Sequence, residues 1–217
     1  MARIYAACLA SYNNGTLHGE WIDLDGKDES DVDEEIRLML KASPYPNVVR
    51  RDVKCPSCLA TSYIDVSSPS GTLRKCSECD VFCDWTSEPY PSAEEFAIHD
   101  HEGFEGVKVG EYDSIGDLVK LSAAIEEHGE AFAAFYDHYG NDVDGAVSKF
   151  EDAYRGCHKS VEEYAEELLD DCGTLSDLPA NLRYYFDYAA LARDMELNGE
   201  IWTHNGDDGV HVFDGTI

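Results

Sequence analysis

Cations are what this sequence has least of. Sixteen Lys and Arg stand against 45 Asp and Glu in 217 residues, a formal net charge of −29. Phosphate contacts need Lys and Arg, so the chain is not expected to bind nucleic acid itself, and it should be repelled by membrane surfaces. No stretch approaches the about 18 apolar residues of a membrane span, and Met-Ala-Arg-Ile-Tyr is not followed by a long apolar run, so neither a span nor a secretory leader is expected. The expected address is therefore cytoplasmic. A nucleophile motif such as G-x-S-x-G is missing as well. Apolar residues are not scarce. At 43% apolar and 11% aromatic the chain can bury a core despite its charge, in two or three small domains.

The charge is unevenly placed. Residues 88–217 hold 31 Asp or Glu against 7 Lys or Arg, a net of −24, while residues 1–87 hold 14 against 9, a net of −5. The densest window is Ser160–Asp171. Val161, Tyr164, Ala165, Leu168 and Leu169 recur there at the 3, 4 spacing of a helix face. On the other face Glu162, Glu166 and Asp170 form one row and Glu163 and Glu167 another, with Asp171 beside them. Within a row the carboxylates stand about 6 Å apart along the axis. Like charges at this spacing cost about 0.2–0.5 kcal/mol per pair. No Lys or Arg interleaves them, so the pattern points to something other than stability, namely a cationic partner.

Upstream, Ser114 is placed to cap a helix with Ile115, Leu118, Val119 and Ile125. A second helix carries Phe132, Phe135 and Tyr139, and a third carries Val143, Ala146, Val147 and Phe150, with Gly129 and Gly140 between them. Their polar faces add Glu126, Glu127, Glu130, Asp137, Asp142, Asp144, Glu151 and Asp152. For any one of these the plain reading is a solvated face. Together with the six carboxylates of the densest helix they make the candidate partner-binding set.

The beginning of the chain reads as strands over Arg3–Ser11 and Thr16–Leu24 joined by a turn at Tyr12-Asn-Asn-Gly15. Asp31-Val-Asp-Glu34 has the spacing of a capping box with Asp31 in the cap position. The helix it opens turns Val32, Ile36, Met39 and Leu40 toward a core before Pro44 and Pro46. Glu95–Asp100 reads as a third strand. The adjacent His99, Asp100, His101 and Glu102 would point to alternating faces of it, which disfavours a shared catalytic or metal role.

The strongest local motif is Cys55-Pro-Ser-Cys58 followed by Cys76-Ser-Glu-Cys79. Two C-x-x-C turns can close a tetrahedral shell around Zn²⁺. The intervening Ala60–Val66 and Thr72–Lys75 read as the short strands of a zinc ribbon. A four-thiolate shell has no open position, so the expected role is structural. Cys83 is a fifth thiol that could replace Cys79. A redox or chance cluster is the plain alternative.

Near the end, Pro179 can open a short helix and Asp187 can cap another containing Tyr188, Leu191, Ala192 and Met195, which Gly199 terminates. Ile201–Thr203 and Val210–Phe213 then form a hairpin around Asn205-Gly206. Tyr184, Tyr185, Phe186 and Tyr188 are denser in aromatics than so small a core needs. Core packing or an oligomer contact would account for them.

Several of these stretches, in the same order, resemble ArdA-type antirestriction proteins. They are Leu17-His-Gly-Glu-Trp-Ile22 after the Ile4-Tyr5 strand, Glu95-Phe-Ala-Ile-His-Asp100 with Glu102, and Tyr112-Asp-Ser-Ile-Gly-Asp-Leu118. Leu178-Pro179, Tyr185-Phe-Asp-Tyr188 and Ala192-Arg-Asp194 complete the set. The segment from about Val48 to Pro89 departs from the family pattern and reads as a near-neutral insertion. The resemblance implies a non-enzymatic protein of mobile elements, elongated, of α+β class and dimeric through its last domain. The three implied domains are an N-terminal antiparallel-sheet domain over 1–112 with the ribbon at 48–89, a helical domain over 113–155 and an α+β domain over 156–217. It further implies that the carboxylates imitate the phosphate track of bent B-form DNA. The partner would be the methyltransferase core of a type I restriction-modification enzyme, whose DNA-binding channel the protein would fill. Three other readings compete. A halophile's acidic surface would spread its charge evenly. A zinc enzyme would need an open metal position. An acidic zinc-ribbon adaptor for another basic, DNA-binding protein is separated from the favoured reading by the resemblance alone.

Overall fold

The computed structural model describes residues 1–66, 75–140, 142–176, 178–183 and 185–217. Its contacts divide the chain into two compact units, one of Met1–Gly103 with Lys108–Ser122 and one of Phe104–Val107 with Ala123–Ile217. The class is α+β, with three small antiparallel sheets among the described residues.

In the first unit, strand β1 (Arg3–Cys8) buries Ile4, Ala6 and Cys8 as its alternation predicts. It ends three residues earlier than the sequence suggests. Leu9–Asn13 forms a helical turn, α1, because the Cys8 thiol accepts from the Ser11 backbone N–H at 3.5 Å and caps it. Strand β2 (Gly19–Asp23) then pairs antiparallel with β1. Gly19 lies so close to the Ala6 carbonyl that a Cβ would collide with it, which is why this register takes glycine. Helix α2 (Glu29–Lys41) also departs from expectation. Its cap is Asp28, not Asp31. The Asp28 carboxylate accepts from the Asp31 N–H at 3.0 Å, and Asp31 returns a bond to the Asp28 N–H at 3.2 Å, so the box is built from two aspartates one turn earlier. Val32, Ile36, Met39 and Leu40 are buried, and α2 packs on β1 and β2.

Strand β3 (Val48–Lys54) is central to a second sheet. It pairs antiparallel with β4 (Thr61–Asp65), β5 (Asp84–Trp85) and β6 (Tyr90–Ser92). Arg37 on α2 joins this sheet to the first layer by donating to Glu34 at 2.7 Å, Asp52 at 2.9 Å and the Tyr90 hydroxyl at 3.1 Å. Strand β7 (Phe96–Glu102) returns to the other edge of β1, as expected for a third strand reached across the intervening segment. Helix α3 (Ile115–His128) follows, with Ser114 Oγ accepting from the Asp117 N–H at 3.3 Å.

The second unit is built around one strand. Helices α4 (Glu130–Tyr139) and α5 (Val143–Ala153) lead into strand β8 (Tyr154–His158), which the sequence pattern does not mark. Helices α6 (Val161–Asp171), α7 (Ala180–Arg183) and α8 (Tyr188–Leu197) precede the hairpin β9 (Ile201–Asn205) and β10 (Val210–Asp214). The sheet order is β8-β10-β9. Successive side chains of β10 face opposite ways, and both sides are covered. Val212 joins Tyr164, Ala165, Ala192, Met195 and Ile201 from α6, α8 and β9. Phe213 stacks on Trp202 at 4.0 Å and meets Phe135 and Phe150 of α4 and α5 at 5.8 and 6.4 Å. This core fixes the inner face of α6 and so turns its carboxylates outward.

Candidate functional site

Strand β3 ends at Lys54 and delivers Cys55 into a tight turn that β4 leaves at Thr61. The two C-x-x-C turns have the same geometry. In each, the N–H of the first cysteine donates to the carbonyl five residues on, Cys55 to Ala60 and Cys76 to Val81, both at 2.8 Å. In each, the residue after the second cysteine donates back, Leu59 to Cys55 at 3.1 Å and Asp80 to Cys76 at 3.0 Å. That residue adopts a left-handed backbone, with φ of 65° at Leu59 and 58° at Asp80, a conformation that ordinary residues rarely take. The repeat aims four sulfurs at one point. Cys55 Sγ lies 3.4 Å from Cys79 Sγ, Cys58 Sγ lies 3.5 Å from Cys76 Sγ and 3.7 Å from Cys79 Sγ, and all four fall within 4.8 Å of one another. A tetrahedron with Zn–S bonds of about 2.3 Å has edges of about 3.8 Å, so the set fits zinc. The Cys58 backbone N–H, aided by that of Ser57, outweighs burial and brings the Cys55 thiol down to about 6, toward the thiolate that metals bind. Cys83 is buried beside the cluster, but Cys79 is the fourth member of the set. Burial, then the neighbouring Cys55, Cys76 and Cys79, push the Cys83 thiol up. Of the expected ribbon strands, Ala60–Val66 is β4. Residues 72–74 of the other lie outside the described residues, and Lys75 bridges to Phe82.

The candidate carboxylates all lie in the second unit. Glu126, Glu127, Asp137, Asp142, Asp144, Glu151, Asp152, Glu162, Glu166, Glu167, Asp170 and Asp171 are exposed, while Glu130 and Glu163 are half-buried. On α6 the row Glu162, Glu166 and Asp170 stands in solvent as the spacing predicts. The second row is partly compensated, contrary to what the spacing alone suggests. Lys159 Nζ donates to Glu163 at 2.9 Å and its backbone N–H donates to the same carboxylate at 2.7 Å, holding it below the usual carboxylate range. His158 Nδ1 lies 3.0 Å from Glu167. Lys159 four residues before Glu163 was the available signal. Asp142 caps α5 by accepting from the Gly145 N–H at 3.2 Å. His128 sits between Glu127 and Glu151, at 3.9 and 3.6 Å. Glu130 accepts from the Asp207 N–H at 2.9 Å and meets His211 Nε2 at 3.1 Å, so it serves the packing of its own unit.

Of the aromatic group, Tyr184 lies outside the described residues. Tyr185 is exposed, and Phe186 and Tyr188 are half-buried with ring centres 5.0 Å apart. His99 packs edge-on against Tyr12 at 4.8 Å and Glu102 pairs with Arg3 at 2.6 Å, so these two of the four strand neighbours turn to different partners. No helix among the described residues is long and apolar enough to cross a membrane.

No curated protein matches the sequence. The family model described as antirestriction protein (ArdA) matches residues 4–208, which takes in both the cysteine turns and the acidic helices. Members of that family act against restriction enzymes, and with nearly the whole length matched, this chain belongs to the ArdA antirestriction protein family.

Proposed function

We propose that the protein inhibits type I restriction-modification enzymes by imitating B-form DNA. The carboxylates of the second unit would occupy the DNA-binding channel of the methyltransferase core. The observation that carries this reading is the outer face of α6. Six carboxylates, Glu162, Glu163, Glu166, Glu167, Asp170 and Asp171, span nine residue steps, or about 14 Å of axis, which is one charge per about 2.3 Å, or about 2.7 Å once the Lys159 ion pair at Glu163 is subtracted. A duplex presents one per about 1.7 Å. A rigid helix thus offers a channel lined with Lys and Arg a field close to that of DNA, without bases to be read. Glu126, Glu127, Glu151, Asp152 and the other exposed carboxylates of α3 to α5 extend the supply of charge. The protein acts by binding, in the cytoplasm, and performs no chemistry. The cysteine turns hold a structural Zn²⁺, and Tyr184, Tyr185, Phe186 and Tyr188 contribute to a homodimer contact. Monomeric behaviour in sedimentation would remove that last assignment.

The test is a competition assay in which labelled duplex bound to a type I methyltransferase core is titrated with this protein at low and moderate salt. Full displacement that weakens with salt is the expected result. Absence of displacement at any salt by the folded protein would overturn the reading in favour of an adaptor for another basic, DNA-binding protein.

A further inference from the structure

We propose that His158, Glu163 and Glu167 form a second cation site at the start of α6, for a first-row divalent metal such as Zn²⁺ or Co²⁺. One ligand atom from each of the three lies within 4.8 Å of the others. The hydrogen-bond pattern of His158 is what singles the site out. Its Nε2 stands 3.1 Å from the Arg155 carbonyl oxygen, an acceptor, so Nε2 must carry the N–H. Its Nδ1 stands 3.0 Å from Glu167 Oε2, an acceptor again. A neutral imidazole has one N–H. With it at Nε2, the Nδ1 lone pair faces a carboxylate oxygen, and two acceptors at that distance need a cation in common, either a proton on Nδ1 or a metal that takes both. Metal-bound histidines commonly donate their other N–H to a backbone carbonyl, which orients the ring. Arg155 supplies that carbonyl here.

The ring is also held in place. Its side chain is 13% exposed, it ends β8 opposite Val210, and the Tyr164 ring packs against it at 5.1 Å. Metal–nitrogen and metal–oxygen bonds of about 2.0–2.2 Å set neighbouring ligands about 3 Å apart, which His158 and Glu167 already satisfy. Glu163 offers Oε1 to the point by releasing Lys159 Nζ, whose side chain is 90% exposed, while its Oε2 keeps the Lys159 backbone N–H. The ring nitrogen selects zinc, cobalt or nickel over magnesium and calcium. Solvent completes the coordination. The site contains no thiolate and stands whether or not α6 imitates DNA.

The experiment uses the full chain with its four-cysteine centre saturated with Zn²⁺, titrated with Co²⁺ and separately with Mg²⁺, with stoichiometry read by calorimetry and the cobalt spectrum in parallel. The expected result is one further equivalent of Co²⁺ with the weak d–d absorption of a nitrogen–oxygen site and no thiolate charge-transfer band, undisturbed by excess Mg²⁺. His158→Asn and Glu167→Gln should weaken it at least tenfold. Lys159→Ala, at an exposed position that leaves the fold intact, should tighten it by freeing Glu163. Absence of a further equivalent, binding unchanged in His158→Asn, or weaker binding in Lys159→Ala would overturn the proposal.

Discussion

Glu130 belongs by position to the acidic face, yet its contacts are those of a core residue. Its carboxylate accepts from Asp207 and meets His211, which is 7% exposed and whose Nδ1 lies 2.9 Å from the Tyr154 hydroxyl. Gly206 packs against it so closely that a Cβ would overlap its oxygen. Glu130→Ala leaves the buried His211 ring nitrogen without its partner and the exposed Asp207 N–H to solvent, and urea denaturation should register a loss of about 1 kcal/mol. The bond to His211, helped by the Asp207 N–H, holds Glu130 below its ordinary value of 4.5. A depressed carboxylate contributes stability that is complete above its unfolded value and disappears as pH falls through its folded one. The gap between wild type and Glu130→Gln should therefore be constant at neutral pH and close in acid, below 4.5. A second single-residue test concerns Leu59, whose φ of 65° is costly for a side chain and whose side chain is 62% exposed. In the zinc-loaded chain Leu59→Gly should raise the thermal midpoint or leave it unchanged, whereas Leu59→Val should lower it, because a branched Cβ fits that backbone worst.

At the scale of the element, the two cysteine turns are one structure repeated, and each supplies two of the four clustered thiols. Serine at Cys55, Cys58, Cys76 or Cys79 should abolish tight zinc binding, while Cys83→Ser should retain one equivalent; metal analysis of the purified variants decides between them. Helix α6 is informative in the opposite direction. Its row Glu162, Glu166 and Asp170 carries two like-charge pairs, so neutralising all three to Gln or Asn should relieve about 0.4–1 kcal/mol of repulsion, judged by urea midpoints, offset in part at Glu162, whose charge in the first turn favours the helix dipole. The same variant should compete less well for the methyltransferase. These elements were largely readable in the sequence. Cys55, Cys58, Cys76 and Cys79, the buried face of α2, the cap at Ser114 and the hairpin after Gly199 were fixed by spacing, which local physics imposes. What escaped was decided by contacts distant in sequence or by a choice between equivalent caps. Tyr-Arg-Gly-Cys-His at β8 has no strand pattern of its own and is a strand because β10 pairs with it. Asp28 and Asp31 have similar capping chemistry, and the chain used the earlier one. Glu130 has no local mark that separates it from its exposed neighbours, because His211 is 81 residues away.

For the whole molecule, the net charge of −29 acts on two equilibria with opposite sign. Folding brings like charges together, most of all in residues 88–217 with their net of −24. Exposed charges are screened over about 10 Å at 0.1 M salt, so added monovalent salt relieves this repulsion and should raise the thermal midpoint. The proposed binding to a Lys- and Arg-lined channel would be the reverse case, since there the same carboxylates would supply the attraction that salt screens. Between about 50 and 200 mM salt, competition with duplex should therefore weaken about tenfold or more while the fold becomes more stable. A surface made acidic only for solubility would show the first effect without the second. Neutralising the Glu162, Glu166 and Asp170 row should flatten both dependences, because the same charges produce them. If that variant lost salt-sensitive competition but kept the full salt dependence of its melting, the stabilising response would have to come from carboxylates outside that row. Neutralising the α3 to α5 set, Glu126, Glu127, Glu151 and Asp152, would then be the measurement that locates it.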